Sequence, residues 1–154
     1  MNSKLPLLLL LLVFAGTSKC QQLQLITAKL KPVFNTNASY DRGKVLYKME
    51  CMSCHQASGE GVAYINPAIT NNAVVQGAKD KLINLVLNGI YSQTKDVQNG
   101  YTNNMPGHHY LSNQQIADLL TFLRQNFGNK AEPVFANEVA SVRLISSDKK
   151  TKRK

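Results

Sequence analysis

Two cysteines and a histidine stand close together in the stretch CMSCH, as Cys51, Cys54 and His55. Such a set can bind zinc, exchange a disulfide or attach a haem through thioether bonds. Each of these chemistries requires different surroundings, so the remainder of the sequence decides among them.

Zinc and thiol–disulfide chemistry both fit these surroundings poorly. A structural zinc ion takes four ligands, adjacent Cys54 and His55 rarely reach one ion together, and the sequence has no second C-x-x-C pair. A redox-active dithiol favours a first cysteine at a helix N-terminus, where the helix dipole lowers its pKa. Here the predicted helix precedes Cys51, so the dipole acts in the opposite direction.

Covalent haem attachment fits the motif. Addition of two thiols to the vinyl groups of one porphyrin requires a short, fixed separation between the cysteines, and the following histidine then lies at the iron. We therefore assign Cys51 and Cys54 to the thioether bonds of one haem c. His55 is the expected proximal ligand of its iron.

The other side of the iron requires a sixth ligand, and Met105 is the favoured one. Met49 and Met52 lie too near the attachment motif to cross the ring, and the initial methionine belongs to the leader described below. A thioether sulfur favours Fe(II) and raises the reduction potential. His108 and His109, in the same loop, are the alternative ligands, and an open coordination site is a third alternative.

The first element that must position these residues is a helix leading into the motif. Ser39 is its expected N-cap, followed by Asp41 in the first turn. Gly43 and Tyr47 form a strip where another helix can approach closely. The residues of its expected apolar side are Val45, Leu46 and Met49.

Further helices are predicted over DKLINLVLNG and SNQQIADLLTFLRQNFG. In the second of these, Ser112 and Gln115 form a capping box and Gly128 closes the helix. Its expected apolar face comprises Ile116, Leu119, Leu120, Leu123 and Phe127, with Phe122 pointing elsewhere. A shorter helix is expected to begin at Asn137 as its cap. The pattern predicts an all-α fold with long loops.

The first twenty residues are typical of a secretory leader. Lys4 supplies a positive charge, and residues 5–14 form an apolar core shorter than the ~20 residues of a membrane-spanning helix. Cys20 stands where a lipoprotein cysteine would stand, although Lys19 precedes it. We expect an exported protein that is periplasmic or, if Cys20 is lipidated, anchored on the extracytoplasmic side.

The chain of 154 residues has room for one domain. We expect the leader at 1–20, a linker or arm at 21–38, the domain at 39–145 and a basic, disordered tail at 146–154. The tail holds five basic residues and one acidic residue, in a chain with a net charge of +9. No aromatic side chains alternate with its lysines, which argues against nucleic acid and leaves anionic headgroups as a possible target.

The ordered series of segments resembles the small class I monohaem c-type cytochromes of bacteria, which accept electrons from dehydrogenases or are fused to redox enzymes. The resemblance covers residues 39–143. It rests on GKVLYKMECMSCHQASGEG, NPAI, LINLVLNGI, GYTNNMP, LSNQQIADLLTFLRQNFGN and VFANEVASVR. It implies the class I cytochrome c fold, with three to five helices around one covalently bound haem.

The resemblance also implies several residue roles. The first helix would cross the last one, so that Gly43 and Tyr47 meet the Phe122 side. The carbonyl group of Pro67 would accept a hydrogen bond from the haem histidine and fix its orientation. Tyr101, four residues before the expected axial methionine, would lie close to the haem edge.

The expected function is one-electron transfer without catalysis. The protein would shuttle electrons between an extracytoplasmic dehydrogenase or respiratory complex and an oxidase or reductase. The alternative is a peroxidase-like catalyst or a ligand sensor in which the sixth ligand dissociates. Lys48, Lys79 and Lys95 would steer a redox partner with an acidic docking surface towards the haem edge.

Overall fold

Helices form the regular structure of residues 36–91, 101 and 103–151, which this computed structural model describes. The longer helices are α1 (Thr36–Glu50), α4 (Lys79–Asn88), α5 (Asn113–Gln125) and α6 (Ala136–Thr151), and α2 (Met52–His55) and α3 (Ala73–Gln76) are single turns. The all-α prediction is confirmed, and the four longer helices fall within the predicted three to five. In the described residues, no helix is long and apolar enough to cross a membrane.

Several predictions from the sequence fall on residues outside these ranges. They are the leader, Cys20 and its lipidation, the arm up to residue 35, Lys95, and the end of the basic tail. These predictions remain as they were made from the sequence.

The crossing of α1 and α5 organises the core. A Cβ atom on Gly43 would lie 2.7 Å from the Cβ atom of Phe122, so only glycine allows this separation of the two helices. One turn further on, the ring of Tyr47 packs on Phe122 with a centroid distance of 5.5 Å and on Phe127 at 5.0 Å. The expected contact of Gly43 and Tyr47 with the Phe122 side is confirmed.

The prediction that Ser39 caps α1 is wrong. The helix begins at Thr36, and Ser39 is buried inside it, where its hydroxyl group donates to Asp118 Oδ1 at 2.6 Å. Arg42 Nε donates to the other carboxylate oxygen at 2.6 Å, and Gln114 also donates to Asp118. Because a buried carboxylate on α5 must be satisfied, the serine hydroxyl serves this tertiary contact instead of a cap.

The predicted apolar side of α1 is also partly wrong. Leu46 is buried, but the side chains of Val45 and Met49 are 57% and 71% exposed. The face of α1 that packs against α5 contains Ser39, Gly43 and Tyr47. Val45 and Met49 therefore point towards solvent.

Helix α5 matches its prediction closely at the N-terminus. Ser112 Oγ accepts from the Gln115 backbone N–H, and Gln115 Oε1 accepts from the Ser112 N–H, so the capping box is confirmed. The side chains of Ile116, Leu119 and Leu120 are fully buried. Phe122 is buried as well, because it faces α1.

Helix α6 extends further than the sequence indicated. It starts at Ala136, so the expected cap Asn137 lies inside its first turn, and the Glu138 carboxylate accepts from the Phe135 N–H at 2.8 Å instead. The helix continues to Thr151, beyond the predicted start of the tail at residue 146. Ser146 is held there by hydrogen bonds from its Oγ to Val142 O and to Asn84 Oδ1 on α4.

Candidate haem-binding site

The attachment motif forms a tight turn directly after α1. The Cys51 N–H donates to Tyr47 O at 2.9 Å, and the N–H groups of Cys54 and His55 both donate to Cys51 O. Residues three apart on such a turn are neighbours on one side of it, so Cys51 and Cys54 are suitably spaced for one ligand. Both cysteines have free thiols.

The electrostatics of Cys51 do not favour thiol–disulfide chemistry. Burial raises the pKa of its thiol to about 12, and the charges of Glu50 and Cys54 act in the same direction. Cysteines that exchange disulfides have a lowered pKa, because the thiolate is the attacking species. The raised pKa of Cys51 is therefore the opposite of what a redox-active dithiol requires.

His55 is oriented by the loop that contains Pro67. Its Nδ1 lies 2.9 Å from Pro67 O, so Nδ1 carries the proton and donates it, and Nε2 is the nitrogen that could bind a metal. This is the contact that the sequence resemblance implied. A carbonyl partner on the far nitrogen is the usual way in which a metal-ligating histidine is fixed.

A glycine makes this approach of the Pro67 loop possible. Gly61 has φ +65°, a conformation that favours glycine, and an added Cβ atom would lie 2.6 Å from Pro67 O. Its N–H donates to His55 O at 3.0 Å. The loop is closed by the bridge between Val62 and Asn66. The role of Gly61 was not predicted from the sequence, although its place in SGEG just after the motif is a detectable signal.

Met105 lies on a segment fastened to the end of α4. Its N–H donates to Ile90 O at 3.0 Å, its carbonyl oxygen accepts from the Ile90 N–H at 2.9 Å, and the His108 N–H donates to Val86 O. The methionine side chain is half-buried and packs against the hydrophobic core. These backbone contacts fix the position of Met105, and within the part of the chain that the structure describes its thioether makes no hydrogen bond.

Asn103 connects the Met105 segment to the Pro67 loop. Its N–H donates to Ile65 O at 3.2 Å, and its side-chain amide donates to Asn66 Oδ1 at 3.1 Å. Tyr101, two residues earlier, is half-buried, and its expected place near a haem edge stays a prediction. The role of Asn103 was not predicted from the sequence, because nothing in NNMP distinguishes it from an ordinary loop asparagine.

The two histidines after Met105 have different surroundings. His109 is exposed, as a loop histidine commonly is. The side chain of His108 is only 5% exposed, and its Nδ1 lies 3.1 Å from the hydroxyl group of Tyr110. His108 is therefore a buried, hydrogen-bonded residue, unlike its exposed neighbour.

These residues fit a covalently bound haem. The two free thiols share one turn, the imidazole of His55 is fixed through its far nitrogen, and Met105 is on a segment tied to the same loop system. Large apolar side chains that flank the two loops, Ile65 and Ile90, are exposed to an extent that suits contact with a porphyrin. Such contact would remove their apolar surface from water.

Comparison with known proteins agrees with this geometry. The family model "Cytochrome c" matches residues 40–127. A nicotinate dehydrogenase subunit of Pseudomonas putida is 32% identical over 126 residues, which cover 78% of this chain and 10% of that protein. The cytochrome c subunit of a quinone-dependent alcohol dehydrogenase from Gluconacetobacter polyoxogenes is 35% identical over 105 residues, 66% of this chain and 22% of the relative.

A third relative is also a cytochrome c subunit of a quinone-dependent alcohol dehydrogenase. The corresponding cytochrome c subunit from Gluconobacter oxydans is 29% identical over 119 residues, 75% of this chain and 24% of the relative. The chain thus spans less than a quarter of the length of these relatives. The family match covers more than half of the chain and includes the CMSCH motif and Met105. The chain therefore belongs to the cytochrome c family of electron-transfer domains, which carry covalently bound haem c.

Proposed function

We propose that this protein is a one-electron carrier whose single haem c has His55 and Met105 as axial ligands. Haem c supplies a one-electron Fe(III)/Fe(II) couple when it is bound. The observation that carries the proposal is the hydrogen bond from His55 Nδ1 to Pro67 O. It directs Nε2 away from the Pro67 loop and gives His55 the fixed tautomer of an iron ligand.

Met105 is proposed as the sixth ligand because of how its segment is held. Backbone bonds to Ile90 fix the residue, and Asn103 ties the same segment to the loop that orients His55. His108 is less suited to this role, because its ring is buried within the polypeptide. With both axial positions occupied by protein side chains, the iron would have no open position for a substrate, which favours electron transfer over catalysis.

The relatives suggest the kind of redox partner. Two of them are named as cytochrome c subunits of quinone-dependent alcohol dehydrogenases, and a third as a dehydrogenase subunit. We propose that this chain receives electrons from a dehydrogenase or respiratory complex and passes them to an oxidase or reductase. Export by the leader predicted from the sequence would put this exchange on the extracytoplasmic side.

The partner surface is proposed to be acidic. Lys48 and Lys44 are exposed one turn apart on α1, the helix that leads into the attachment motif. Lys79 contributes less, because its Nζ pairs with Glu138 Oε1 at 3.0 Å and lies over the ring of Phe135. Exposed lysines near the site raise the rate of encounter with an acidic partner, and this rate falls as salt is added.

The replacement Met105→Ala tests the ligand assignment. We expect the oxidised variant to lose the near-infrared sulfur-to-iron charge-transfer band, and its reduction potential to fall, because a thioether stabilises Fe(II). Met49→Ala is the matched control, since Met49 is an exposed methionine close to the attachment motif. Absorption spectra with redox titration provide both readouts. An unchanged band and potential in Met105→Ala would exclude this methionine as the ligand.

A further inference from the structure

Three polar side chains join the Met105 segment to the end of α1, directly before the attachment motif. Tyr110 Oη donates to Glu50 Oε2 at 2.5 Å, and His108 Nδ1 lies 3.1 Å from the same Tyr110 oxygen. His108 Nδ1 is also 3.6 Å from Glu50 Oε2. We call Glu50, Tyr110 and His108 the α1 latch. Glu50 is the last residue of α1 and immediately precedes Cys51.

The direction of the hydrogen bonds in the α1 latch follows from donor counting. A tyrosine hydroxyl has one hydrogen, and here it points at the carboxylate of Glu50, so its lone pairs accept from His108 Nδ1–H. Burial lowers the pKa of His108, with the charge of Glu50 acting in the opposite direction. The imidazole is therefore neutral near pH 7, and the chain of donors runs from His108 through Tyr110 to Glu50.

The carboxylate of Glu50 strengthens its hydrogen bond with Tyr110. A hydrogen bond to an ionised acceptor is about twice as strong as one between neutral groups. Consistent with this, the bond to Glu50 is the largest cause that raises the pKa of Tyr110, to about 12, although 62% of the tyrosine side chain is exposed. The phenol thus stays a donor to Glu50 throughout the neutral pH range.

The α1 latch lies where it can influence the distance between the Met105 segment and the attachment motif. Backbone hydrogen bonds fasten the Met105 segment to Val86 and Ile90, Asn103 joins it to the Pro67 loop, and Arg143 Nη1 donates to His109 O at 2.9 Å. None of these contacts joins the segment to the end of α1. The α1 latch makes that connection, since Tyr110 and Glu50 are 60 residues apart in the sequence and Glu50 adjoins Cys51.

We infer that Glu50, Tyr110 and His108 are positioning residues that hold the Met105 segment against the attachment motif and so keep the Met105 sulfur on the iron. This inference rests on the proposed ligation by Met105. Opening the latch leaves the fold and the attached haem in place, but it lets Met105 leave the iron more often. An external ligand then enters the site faster.

The test is the rate at which cyanide binds to the oxidised full-length haem protein. Tyr110→Phe keeps the exposed ring and removes the hydroxyl, and we expect cyanide to bind about tenfold faster, because a charge-assisted bond is lost. Glu50→Ala should have the same effect. Glu50→Gln keeps an oxygen acceptor for Tyr110, so it should restore the rate to within about threefold of the wild type. Glu60→Ala, an exposed carboxylate in the loop after the motif, is the control.

A double-mutant cycle distinguishes positioning from general destabilisation. If both residues act through one bond, Tyr110→Phe combined with Glu50→Ala should bind cyanide no faster than either single variant. The near-infrared band of the oxidised protein should weaken in the same variants, whereas far-ultraviolet circular dichroism should be unchanged. Multiplicative rate effects in the double variant would overturn the latch.

The outcomes separate this inference from the proposed function. Loss of the near-infrared band in Met105→Ala, together with wild-type cyanide binding and band in Tyr110→Phe and Glu50→Ala, would overturn the latch and leave the ligation intact. A band that survives Met105→Ala would overturn both. Faster cyanide binding in the two latch variants and rescue by Glu50→Gln would support the latch.

Discussion

The three histidines of this cytochrome c domain differ in their burial and in their hydrogen-bond partners. His55 donates through Nδ1 to Pro67 O, which leaves Nε2 for iron. His108 is buried and donates through Nδ1 to Tyr110. His109, next to it, is exposed. Burial and hydrogen-bond partners, and not residue type, therefore distinguish the proposed iron ligand from a buried structural histidine.

His108 should make the free energy of unfolding depend on pH. Its pKa in the folded protein is lowered below the ordinary 6.5, chiefly by burial, while the facing charge of Glu50 offsets part of that effect. The unfolded chain therefore binds a proton at pH values where the folded chain does not. The free energy of unfolding should fall as the pH drops below about 6.5, and level off once the folded pKa is passed.

Urea unfolding of the wild type and of His108→Gln between about pH 5 and 7 measures this dependence. We expect a smaller pH slope in the variant, because the titrating imidazole has been removed. Equal slopes in the two proteins would show that His108 takes up its proton alike in the folded and unfolded states.

Among the helices and loops, the α1–α5 crossing and the Pro67 loop each depend on a single glycine. The crossing places Gly43 against the backbone of Asp118 and the side chain of Phe122. The loop places Gly61 against the carbonyl oxygens of Asn66 and Pro67. Each close approach brings together residues that are far apart in the sequence, or turns the chain back on itself.

Gly43→Ala should force α1 away from α5. An added Cβ atom would lie 2.7 Å from the Phe122 Cβ atom, with the rigid backbone of Asp118 closer still, so neither helix can yield cheaply. We expect a loss of ~3 kcal/mol in the free energy of unfolding. Lys44→Ala, an exposed neighbour on α1, is the control, and denaturant unfolding is the measurement. A variant as stable as the control would mean that the helices separate without cost.

Gly61→Ala should act on the iron site and not only on stability. The added Cβ atom would lie 2.6 Å from Pro67 O, and φ +65° is strained for alanine. The carbonyl oxygen should therefore move away from His55 Nδ1, and the proximal imidazole should bind iron less firmly. We expect a shift in reduction potential that the Ser58→Ala control, also in the loop after the motif, does not show. Identical potentials would indicate that the Pro67 contact does not influence the iron.

The sequence predicted local features well and long-range ones poorly. The CMSCH motif and the Ser112–Gln115 capping box are read from a few adjacent residues, and both are formed in the structure. The predicted cap at Ser39 and the exposed side chains of Val45 and Met49 depend on which face of α1 meets α5. That choice is made by tertiary packing, which local patterns do not contain.

The contacts of the candidate haem-binding site also include one that was predicted and one that was not. The bond between His55 and Pro67 was implied by resemblance to a family and is present. The bond between Glu50 and Tyr110 joins residues 60 apart and has no local signature in the sequence. The extension of α6 to Thr151 was missed because the basic composition after residue 145 is typical of a solvated end.

For the whole molecule, the haem is expected to be part of the core. Apolar side chains beside the two loops, Ile65 and Ile90, lie exposed at the surface of the protein chain, where a porphyrin would cover them. A domain of this size buries only about two thirds of the surface of its unfolded chain, so a covalently attached group that covers more should add substantially to stability.

Replacement of both attachment cysteines by alanine tests this expectation. The melting temperature of the Cys51→Ala, Cys54→Ala protein should fall by well over ~10 °C, because thioether bonds, iron ligation and apolar contacts are lost together. Met52→Ala, which lies between the cysteines and is partly exposed, should retain the haem and serve as the control. Thermal unfolding followed by circular dichroism gives both values. Equal melting temperatures would show that the fold is complete without haem.

Electron transfer by a haem ligated by His55 and Met105 is tested most sharply by the near-infrared absorption spectrum of the oxidised wild-type protein, recorded during a redox titration. A one-electron carrier with His55 and Met105 on the iron should show the sulfur-to-iron charge-transfer band and low-spin iron, and the band should disappear with a one-electron dependence as the protein is reduced. High-spin iron without this band would contradict the account and would instead support a catalyst or sensor with an open coordination site.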